Sequence, residues 1–399
     1  MKIVIATPVL YRETSPFNHL FKDIIGGFLE DGNQVIRLVA VEDETQKEFK
    51  YGYMGPNIEY KLFKRKNCER SNIMSRYIRD TLTNIRQAMT ILRLKNVDIL
   101  FEDVSYSSFW VVKAAKLKGI KVVAMLQDVW PDNAVQSNLI SKNSVLYKYF
   151  EFWQKSVYKN ADRIICISDD IKKFISRKNI NENKIEVIYN WGYSDDIVDI
   201  SWDKNEFVKK FNLDKEKKYV IYAGNIGKMQ NVEIVVNAAK VLQNREDIVF
   251  LIIGDGAKKT EIKEMLNNSK NVIMLPMQPS GLALHIYSAA SVNLIPLVTG
   301  GTKTALPSKT GVVLSCGRPT IFTFGEDSYF SYILNKYNAG KSVSSNSAEQ
   351  LANSIIETVD NNKNFKKEDV YRLFNDLFLK KQNVLKYVDV MNEVMKIDN

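Results

Sequence analysis

Short apolar, strand-like runs alternate with helical patterns along most of the chain, and this alternation limits the possible folds more than any other feature. In the first half these runs cover residues 2–8, 34–41, 58–63, 97–103, 121–127, 163–168 and 185–190. They are rich in β-branched residues with little polar alternation, which is typical of strands covered by helices on both faces of a parallel sheet. The pattern therefore predicts an α/β fold with a doubly wound parallel sheet.

A second series of the same kind follows a break in the pattern. Polar and turn residues over 191–215 interrupt the alternation and predict an interdomain linker. Strand-like runs then return at 218–224, 248–256, 271–276, 291–297 and 319–324. A chain of 399 residues is too long for one ordinary core, so two doubly wound domains are the simplest interpretation.

The last segment, 366–396, has apolar residues at helical spacing after both series are complete. This spacing predicts an amphipathic helix that packs across one or both domains. The predicted organisation is a first domain over 1–195, a second over 196–365 and a C-terminal helix over 366–399.

Glycine-rich and lysine-bearing turns follow two strand-like runs of the second domain. Gly224 and Gly227 surround Asn225, and Lys228 precedes a helix. Glycines let backbone amides approach a phosphate, and a helix start with a nearby lysine attracts an anion. An ordinary strand–turn–helix explains the same residues equally well. The Gly-Asp-Gly at 254–256, taken alone, is explained by turn chemistry.

The segment 300–310 carries a stronger signal. Its two glycines predict a flexible loop, and Ser308 is predicted to cap the helix that follows. Lys309 in the first turn opposes the helix dipole unless an anion compensates it, which favours a phosphate ligand over the alternative of a solvated lysine. The next turn, 311–314, carries no acidic residue.

In the first domain, Gln127 and Asp128 lie at a strand end. An acid there can accept hydrogen bonds from sugar hydroxyls or orient a reacting group, and the alternative is an aspartate that caps the turn. The loop 9–18, which includes Ser15, would face the same crevice, with His19 on the helix behind it. His19 and His285 are the only histidines, and neither stands at a metal-ligand spacing, so no metal site is predicted.

Positive charge is concentrated in one part of a chain whose formal net charge is +10. Residues 61–95 hold ten Lys and Arg against two acidic residues, and the helical segment 145–159 holds six aromatic residues. Two interpretations stay open: a peripheral contact with an anionic membrane, or a solvated basic helix beside an aromatic core helix. Nucleic acid is a third option, but no recognition motif supports it.

The N-terminus predicts a first buried strand, because its apolar run lacks the features of a signal peptide, and no run approaches the length that spans a bilayer. A cytoplasmic location is expected, with the inner face of the plasma membrane as the place of any peripheral contact.

Six segments, in order and spacing, resemble a known family: "NADRIICISDDIKKFISRK…NKIEVIYNW", "YAGNIGKMQNVEIVVNAAKVL", "FLIIGDGAKKTEI", "NVIMLPMQP", "YSAASVNLIPL" and "ALPSKTGVVLSCGRPTI". They are similar to the family-4-type retaining glycosyltransferases of the GT-B fold, above all to bacterial enzymes that build surface polysaccharides such as capsule or O-antigen. The resemblance covers about 120–360, and the first 100 residues match mainly in fold pattern.

The resemblance implies a nucleotide diphosphate sugar, of the UDP type, held by the C-terminal domain as co-substrate. It also implies a lipid-linked or oligosaccharide acceptor held by the N-terminal domain, retention of configuration, no metal or cofactor, and a C-terminal helix that crosses back. The implied donor-side residues are Gly224, Asn225 and Lys228 at the diphosphate; Gly254, Asp255, Met277 and Gln278 at the nucleoside; Ser308 and Lys309 at phosphate or sugar; and Glu326, Asp327 and Ser328 at the sugar end.

Ser15 and His19 are assigned to the acceptor side by the position of the loop 9–18 and the helix behind it. The resemblance adds Gln127 there, with Asp128 nearest the reacting carbon and catalytic together with Lys228 and Lys309. The chain departs from the family where relatives carry two glutamates, one for sugar hydroxyls and one for the ribose. Thr304, assigned to the donor site, and Val312 stand at those positions. The missing hydroxyl-binding glutamate favours a deoxy or N-acetylated sugar.

Two other functions stay open. The departures at Thr304 and Val312 suit a non-catalytic GT-B-like partner of a true transferase. A nucleotide-sugar epimerase can share the fold, but it needs more acid and base groups than two histidines and one clear aspartate supply.

Overall fold

The computed structural model describes residues 1–7, 16–41, 55–65, 73–192, 196–266, 269–361 and 365–396. The chain divides into two compact units. The first unit comprises Met1–Tyr189 and Lys381–Asn399, and the second comprises Asn190–Lys380. Each unit is built around one parallel sheet.

The first unit contains a seven-stranded parallel sheet in the order β3-β2-β1-β4-β5-β6-β7. Its strands are β1 Lys2–Thr7, β2 Gln34–Val41, β3 Ile58–Lys64, β4 Ile99–Asp103, β5 Lys121–Leu126, β6 Arg163–Cys166 and β7 Ile185–Val187. All residues of β4, and nearly all of β1 and β5, are buried, as expected for central strands covered on both faces.

Helices follow the strands of the first unit in the predicted alternation. They are α1 Pro16–Glu30, α2 Ile73–Arg93, α3 Phe109–Leu117, α4 Asp132–Gln136, α5 Val145–Asn160 and α6 Asp169–Ser176. Ser144 caps α5 and Ser168 caps α6, each accepting a hydrogen bond from a backbone N–H of the first turn.

The second unit contains a six-stranded parallel sheet in the order β10-β9-β8-β11-β12-β13. Its strands are β8 Lys218–Asn225, β9 Ile248–Asp255, β10 Val272–Leu275, β11 Val292–Ile295, β12 Thr320–Phe322 and β13 Lys341–Ser342. Its helices are α7 Glu206–Phe211, α8 Val232–Val241, α9 Lys259–Met265, α10 Ala283–Ser288, α11 Thr310–Ser315, α12 Tyr329–Tyr337, α13 Ala348–Asp360 and α14 Lys367–Leu377. The predicted doubly wound α/β architecture is confirmed in both units.

The segment 191–215, predicted to be a linker, is instead part of the second unit. Asn205 caps α7 with its side-chain oxygen and donates through its amide nitrogen to the carbonyl oxygen of His285 at 2.7 Å. Phe207 is fully buried behind that cap. The polar residues that broke the strand–helix rhythm are therefore helix caps and turns around a buried aromatic residue.

The C-terminal segment forms two helices rather than one. The helix α14 belongs to the second unit, and α15, Lys380–Lys396, belongs to the first. In the first unit α15 packs against α1, where Gly27 leaves room for Val384, and places the ring of Tyr387 6.0 Å from that of Phe101. The last helix therefore crosses back to the first unit, as the resemblance implied.

Both sheets reverse their strand order beside their first strand, between β1 and β4 and between β8 and β11. In open parallel sheets, ligands bind beyond the carboxyl ends of the strands at such a reversal. None of the helices in the described ranges is both long and apolar enough to cross a bilayer.

Candidate functional site

In the second unit, two glycine-rich turns interlock beyond the ends of β8 and β9. The strands pair in parallel so that Gly224 lies beside Gly254. Both glycines have positive φ angles, of 152° and 158°, and a Cβ on Gly254 would overlap the carbonyl oxygen of Gly224. Only glycine allows this approach, and it leaves a strip of backbone without side chains at the reversal point.

The side chain of Lys309 lies across the same strip. Its ammonium donates to the carbonyl oxygen of Ala223 at 3.0 Å and stands 3.8 Å from the ring centre of Tyr222. A Cβ on Gly224 would lie 3.2 Å from this ammonium, so the missing side chain leaves space for it. Burial lowers the pKa of Lys309 to about 7. The site thus holds an amine that gains a proton readily when an anion binds.

The start of α11 differs from the prediction. Lys309, not Ser308, occupies the N-cap position, and the Ser308 side chain is exposed. The hydroxyl of Thr310 donates to the carbonyl oxygen of Pro307 at 2.7 Å and closes the turn. The Lys309 ammonium points to β8. There the carbonyl oxygen of Ala223 and the ring of Tyr222 stabilise its positive charge, which the dipole of α11 would disfavour.

Residues 311–314 of α11, which include no acidic residue, are part of the core of the second unit. Val312 is buried, and a Cβ placed on Gly192 would lie 3.4 Å from the Val312 Cα, an ordinary packing distance. Thr304 is also fully buried, and its hydroxyl donates to the carbonyl oxygen of Gly301 at 3.2 Å. Thr304 therefore shapes the loop around Gly301, and a direct contact with a ligand would require that loop to move.

Other predicted donor-side residues lie on neighbouring loops at the same edge of the sheet. Asn225 and Lys228 are exposed on the turn after β8, where the Asn225 amide donates to Gln230 at 3.1 Å. Glu326 and Asp327 are exposed on the loop after β12, and the hydroxyl of Ser328 caps α12. These side chains line the edge of the sheet that also carries Lys309.

Of the four positions predicted for the nucleoside, Gly254 and Asp255 end β9, and Met277 and Gln278 follow β10. Asp255 is exposed, and hydrogen bonds from Lys259 and from the Gly256 amide lower the pKa of its carboxyl. Met277 is exposed. Gln278 accepts from Lys210 at 3.0 Å and donates to the carbonyl oxygen of Pro276 at 2.8 Å.

In the first unit, Gln127 and Asp128 directly follow β5. Gln127 is buried, whereas the Asp128 side chain reaches solvent. Burial of the surrounding region nevertheless raises the pKa of Asp128 to about 6. The carboxyl can therefore exchange a proton in the range where enzymes use acids and bases.

The histidines occupy helix positions. His19 Nε2 lies 3.3 Å from a carboxylate oxygen of Asp23 one turn further along α1. His285 accepts a hydrogen bond from the backbone N–H of Glu206 at 3.0 Å through Nδ1, which makes it part of the packing of α7 on α10. Ser15, predicted beside His19, lies outside the described residues.

Several residues with a part in these sites were missed from the sequence. Tyr287 donates to the carbonyl oxygen of Ala223 at 3.1 Å, the same atom that Lys309 contacts. Lys303 lies 3.8 Å from Asp327 and links the loops after β11 and β12. In the sequence, Tyr287 and Tyr222 resemble ordinary core aromatic residues. In the structure, the Tyr222 ring contacts the Lys309 ammonium, and Tyr287 shares the carbonyl oxygen of Ala223 with it. Lys303 lies in the segment already singled out and could have been included.

A fully buried carboxyl lies one residue before the end of the central strand of the first unit. Glu102 is on β4, and burial raises its pKa well above the usual value. In the described parts of the chain, no three His, Cys, Asp or Glu side chains come together so that they could hold a metal ion.

Comparison with protein families gives one match in each half of the chain. Residues 33–191 match the model described as Glycosyltransferase Family 4, and residues 203–371 match Glycosyl transferases group 1. The chain is 23% identical over 244 residues to "Probable glycosyltransferase WbjE" of Pseudomonas aeruginosa, which covers 60% of each protein. It is 23% identical over 214 residues to "Putative colanic acid biosynthesis glycosyl transferase WcaI" of Escherichia coli, 52% of each. The matched region thus spans between half and two thirds of these relatives.

Solved structures share the fold over nearly the whole chain. The Anabaena protein HepE, crystallised with UDP-glucose, superposes with a TM-score of 0.71 at 13% identity, over 98% of this chain and all of that one. Sucrose-phosphate synthase of Thermosynechococcus elongatus gives a TM-score of 0.77 at 15% identity, over 99% of both chains. The two parallel-sheet units therefore have the GT-B architecture. Because the two family matches together span most of its length, the chain belongs to the glycosyltransferases of the family 4 and group 1 type.

Proposed function

We propose that the chain transfers a sugar, with retention of configuration and without a metal ion, from a UDP-sugar to a lipid-linked or oligosaccharide acceptor. The product would be part of a bacterial surface polysaccharide such as capsule, made at the inner face of the plasma membrane. The sugar would be a hexosyl or N-acetylhexosaminyl group of the deoxy or N-acetylated kind, and no cofactor would be needed besides the nucleotide-sugar. Family membership and the UDP-glucose bound by the structurally similar HepE support the choice of donor.

The observation that carries this proposal is the side-chain-free strip at Gly224 and Gly254 with the Lys309 ammonium across it. Backbone amides at glycine turns and at a helix start bind phosphates well. A diphosphate that departs with the nucleotide gains negative charge, and a preorganised ammonium stabilises that charge at the moment it forms. Lys228, exposed on the same turn, would add a second positive charge.

In the first unit, Asp128 would act beside the reacting carbon. Its carboxyl follows β5 at the edge of the sheet where ligands bind in this fold, and its pKa of about 6 keeps it ionised at neutral pH. An anion there would stabilise the positive charge that develops on the sugar ring during transfer. Gln127, His19 and Ser15 would belong to the acceptor side.

The donor is identified first by a thermal-shift panel of UDP-, GDP- and dTDP-sugars, because a ligand at 100 times its dissociation constant stabilises the fold by about 2.7 kcal/mol. Transfer is then measured by UDP release with EDTA present, and the anomeric configuration of the product is read by NMR. Inversion at the anomeric carbon, or a requirement for added metal, would contradict the corresponding part of the proposal.

The variant Lys309→Ala tests the donor site directly. We expect kcat to fall by about a hundredfold, the loss typical when one preorganised charge-stabilising donor is removed. The free energy of unfolding should change little by comparison. The matched control is Lys263→Ala, which removes an exposed lysine from α9 of the same unit and should leave turnover unchanged. Normal turnover in Lys309→Ala would exclude the assigned role.

A non-catalytic partner of a transferase is the second candidate. Thr304 and Val312 favour it, because both are buried and neither has the carboxylate that relatives present to the donor at that position. Calorimetry with UDP separates the two functions. Binding of UDP that Lys309→Ala weakens supports the enzyme, whereas no affinity for any nucleotide supports the partner.

A further inference from the structure

The helix α2 differs from an ordinary surface helix, because several polar residues lie on its buried side and several large apolar residues on its exposed side. Its buried side carries polar residues, among them Asp80, Asn84 and Gln87, which are buried against the rest of the first unit. Its outer side carries Ile78 and Leu82, each 53% exposed. A helix on the surface of a water-soluble unit normally buries its apolar stripe and exposes its polar one.

Hydrogen bonds explain why the polar side faces inward. The Gln87 amide donates to the carbonyl oxygens of Thr7 and Leu38, at 2.8 and 3.0 Å, near the ends of β1 and β2. Asn84 donates to Gln87 at 2.9 Å and accepts from the hydroxyl of Ser107. Asp80 pairs with the buried Arg65 at 2.6 Å. The polar residues of α2 thus satisfy buried groups that would otherwise be costly. Ile91 and Ala88 are buried beside them, and the large apolar residues Ile78, Leu82 and Met89 lie outside.

The outer side of α2 is a continuous apolar line. Ile78, Leu82, Ile85, Met89 and Leu92 follow one another at alternating spacings of four and three residues. This spacing places all five on one face of the helix. Ile85 is half-buried, and the other four are exposed.

Two neighbouring helices extend this line into a surface. The hydroxyls of Tyr77 on α2 and Tyr149 on α5 lie 2.9 Å apart, and the rings of Phe109 on α3 and Trp153 on α5 lie 4.1 Å apart. Large apolar side chains are again exposed here. They include Trp110 and Leu117 on α3, and Val145, Tyr149 and Phe152 on α5. Phe152 is 65% exposed and Leu117 71%. We call the outer sides of α2, α3 and α5 the three-helix surface.

The charges on the three-helix surface are of one sign. Its exposed cations are Arg86, Arg93, Lys113, Lys148 and Lys159. The three helices contain only two acidic residues, Asp80 and Glu151. Asp80 is bound to Arg65, and Glu151 lies 3.1 Å from Lys178, so both are neutralised by partners.

We propose that the three-helix surface binds an anionic lipid bilayer, with its apolar side chains inserted at the level of the headgroups and its lysines and arginines against the lipid phosphates. Apolar residues mixed with basic ones suit this interface, where each basic side chain adds attraction to anionic lipids. A second copy of the chain fits less well, because it would bring like charges together.

This surface coincides only in part with the segments 61–95 and 145–159 singled out in the sequence. Arg65 of the first segment is buried in its ion pair with Asp80, and Lys61 pairs with Glu59 at 2.6 Å. The helix α3, which lies outside both segments, supplies Trp110, Lys113 and Leu117. The lipid contact is independent of the sugar chemistry, so either proposal can fail alone.

The test uses the full chain with vesicles of phosphatidylcholine alone or with 30% phosphatidylglycerol, separated by sedimentation at about 0.1 M and 0.5 M salt. We expect binding only to the anionic vesicles, weaker at the higher salt. Lys113→Gln with Lys148→Gln should lower the partition constant about 25-fold, or about fivefold per lysine. Leu82→Ser with Phe152→Ser should lower it by at least tenfold.

Matched control variants come from elsewhere in the first unit. Leu385→Ser removes an apolar residue of α15 that is 54% exposed, and Lys22→Gln with Lys381→Gln removes two exposed lysines. These controls should bind vesicles like the wild type. Circular dichroism and UDP calorimetry on every variant show whether the units remain folded and whether the donor site is intact.

Two results would overturn the proposal. In one, the wild type stays in the supernatant with anionic vesicles, or the Leu82→Ser, Phe152→Ser variant binds them as the wild type does. In the other, light scattering shows a wild-type dimer that this variant converts to a monomer, without vesicle binding, which would assign the surface to a second copy of the chain.

Discussion

The carboxyl-end edges of the two sheets share one topology but carry opposite chemistry. In the second unit the edge offers glycine turns and the Lys309 ammonium. In the first unit it offers the Asp128 carboxyl after β5, and a second carboxyl, that of Glu102, is buried one residue before the end of β4. Burial raises the pKa of Asp128 and lowers that of Lys309, so one physical cause acts on opposite charges with opposite signs.

The difference shows how one scaffold can serve two substrates. An edge of backbone amides and a proton-accepting amine suits a diphosphate, whereas a carboxylate suits the positive charge of a reacting sugar and the hydroxyls of an acceptor. The reversal of strand order fixes where a ligand binds in each unit, and the residues at the strand ends decide what binds. The comparison is testable by changing one edge at a time.

The largest effect is expected at the first-unit edge. Asp128→Asn keeps the shape of the side chain and removes its charge, and we expect kcat to fall about a thousandfold, within the range for groups acting directly in a reaction. UDP affinity should stay unchanged, because the proposal places the nucleotide in the second unit. UDP release and UDP calorimetry on the same preparation give both quantities.

The stability of Asp128→Asn provides an independent check. The folded carboxyl has a pKa of about 6, above its unfolded value of about 3.9, so its ionisation costs stability as the pH rises through this interval. The asparagine variant should therefore be more stable than the wild type above pH 6 and lose that advantage below pH 4. The exposed Asp203→Asn is the control and should show neither the loss of turnover nor the pH effect.

A smaller effect is expected at the glycine turns of the second unit. Gly254→Ala would place a Cβ against the carbonyl oxygen of Gly224 at a φ of 158°, and we expect the free energy of unfolding to fall by about 3 kcal/mol. Gly281→Ala is the matched control, since a Cβ there meets no atom within 4 Å. Urea unfolding of both variants makes the comparison, and equal stabilities would show that the turns are not interlocked as described.

The sequence predicted the elements of the fold better than the details of the site. The long buried strands are apolar on both faces and therefore visible, whereas β13, of two residues, carries no periodicity. Helical spacing indicated α2 but not which side faces inward, because Gln87 is held inside by carbonyl groups of β1 and β2, and Asn84 by its hydrogen bonds with Gln87 and Ser107. The N-cap of α11 was misplaced by one residue for the same reason, since Lys309 is positioned by its contact with β8.

The smallest expected effect is a pH dependence of UDP binding that is specific to the second-unit edge. The Lys309 amine has a pKa of about 7, with the Tyr222 ring and the Ala223 carbonyl as its neighbours, and a bound diphosphate would raise that pKa by favouring the charged form. Affinity should be highest below pH 7 and fall by up to tenfold per pH unit above it, because binding must then include uptake of a proton.

Calorimetry at pH 8 in two buffers of different ionisation enthalpy measures that uptake. The wild type should take up close to one proton per UDP bound, whereas Lys309→Arg, whose guanidinium stays charged, should take up much less and bind with little dependence on pH. The Asp128→Asn variant should behave as the wild type does, because the Asp128 carboxyl that it lacks is already ionised in the wild type at this pH and takes up no proton. Equal proton uptake in wild type and Lys309→Arg would mean that the phosphate charge is met by groups other than Lys309, and the contrast between the two edges would then rest on the glycine turns alone.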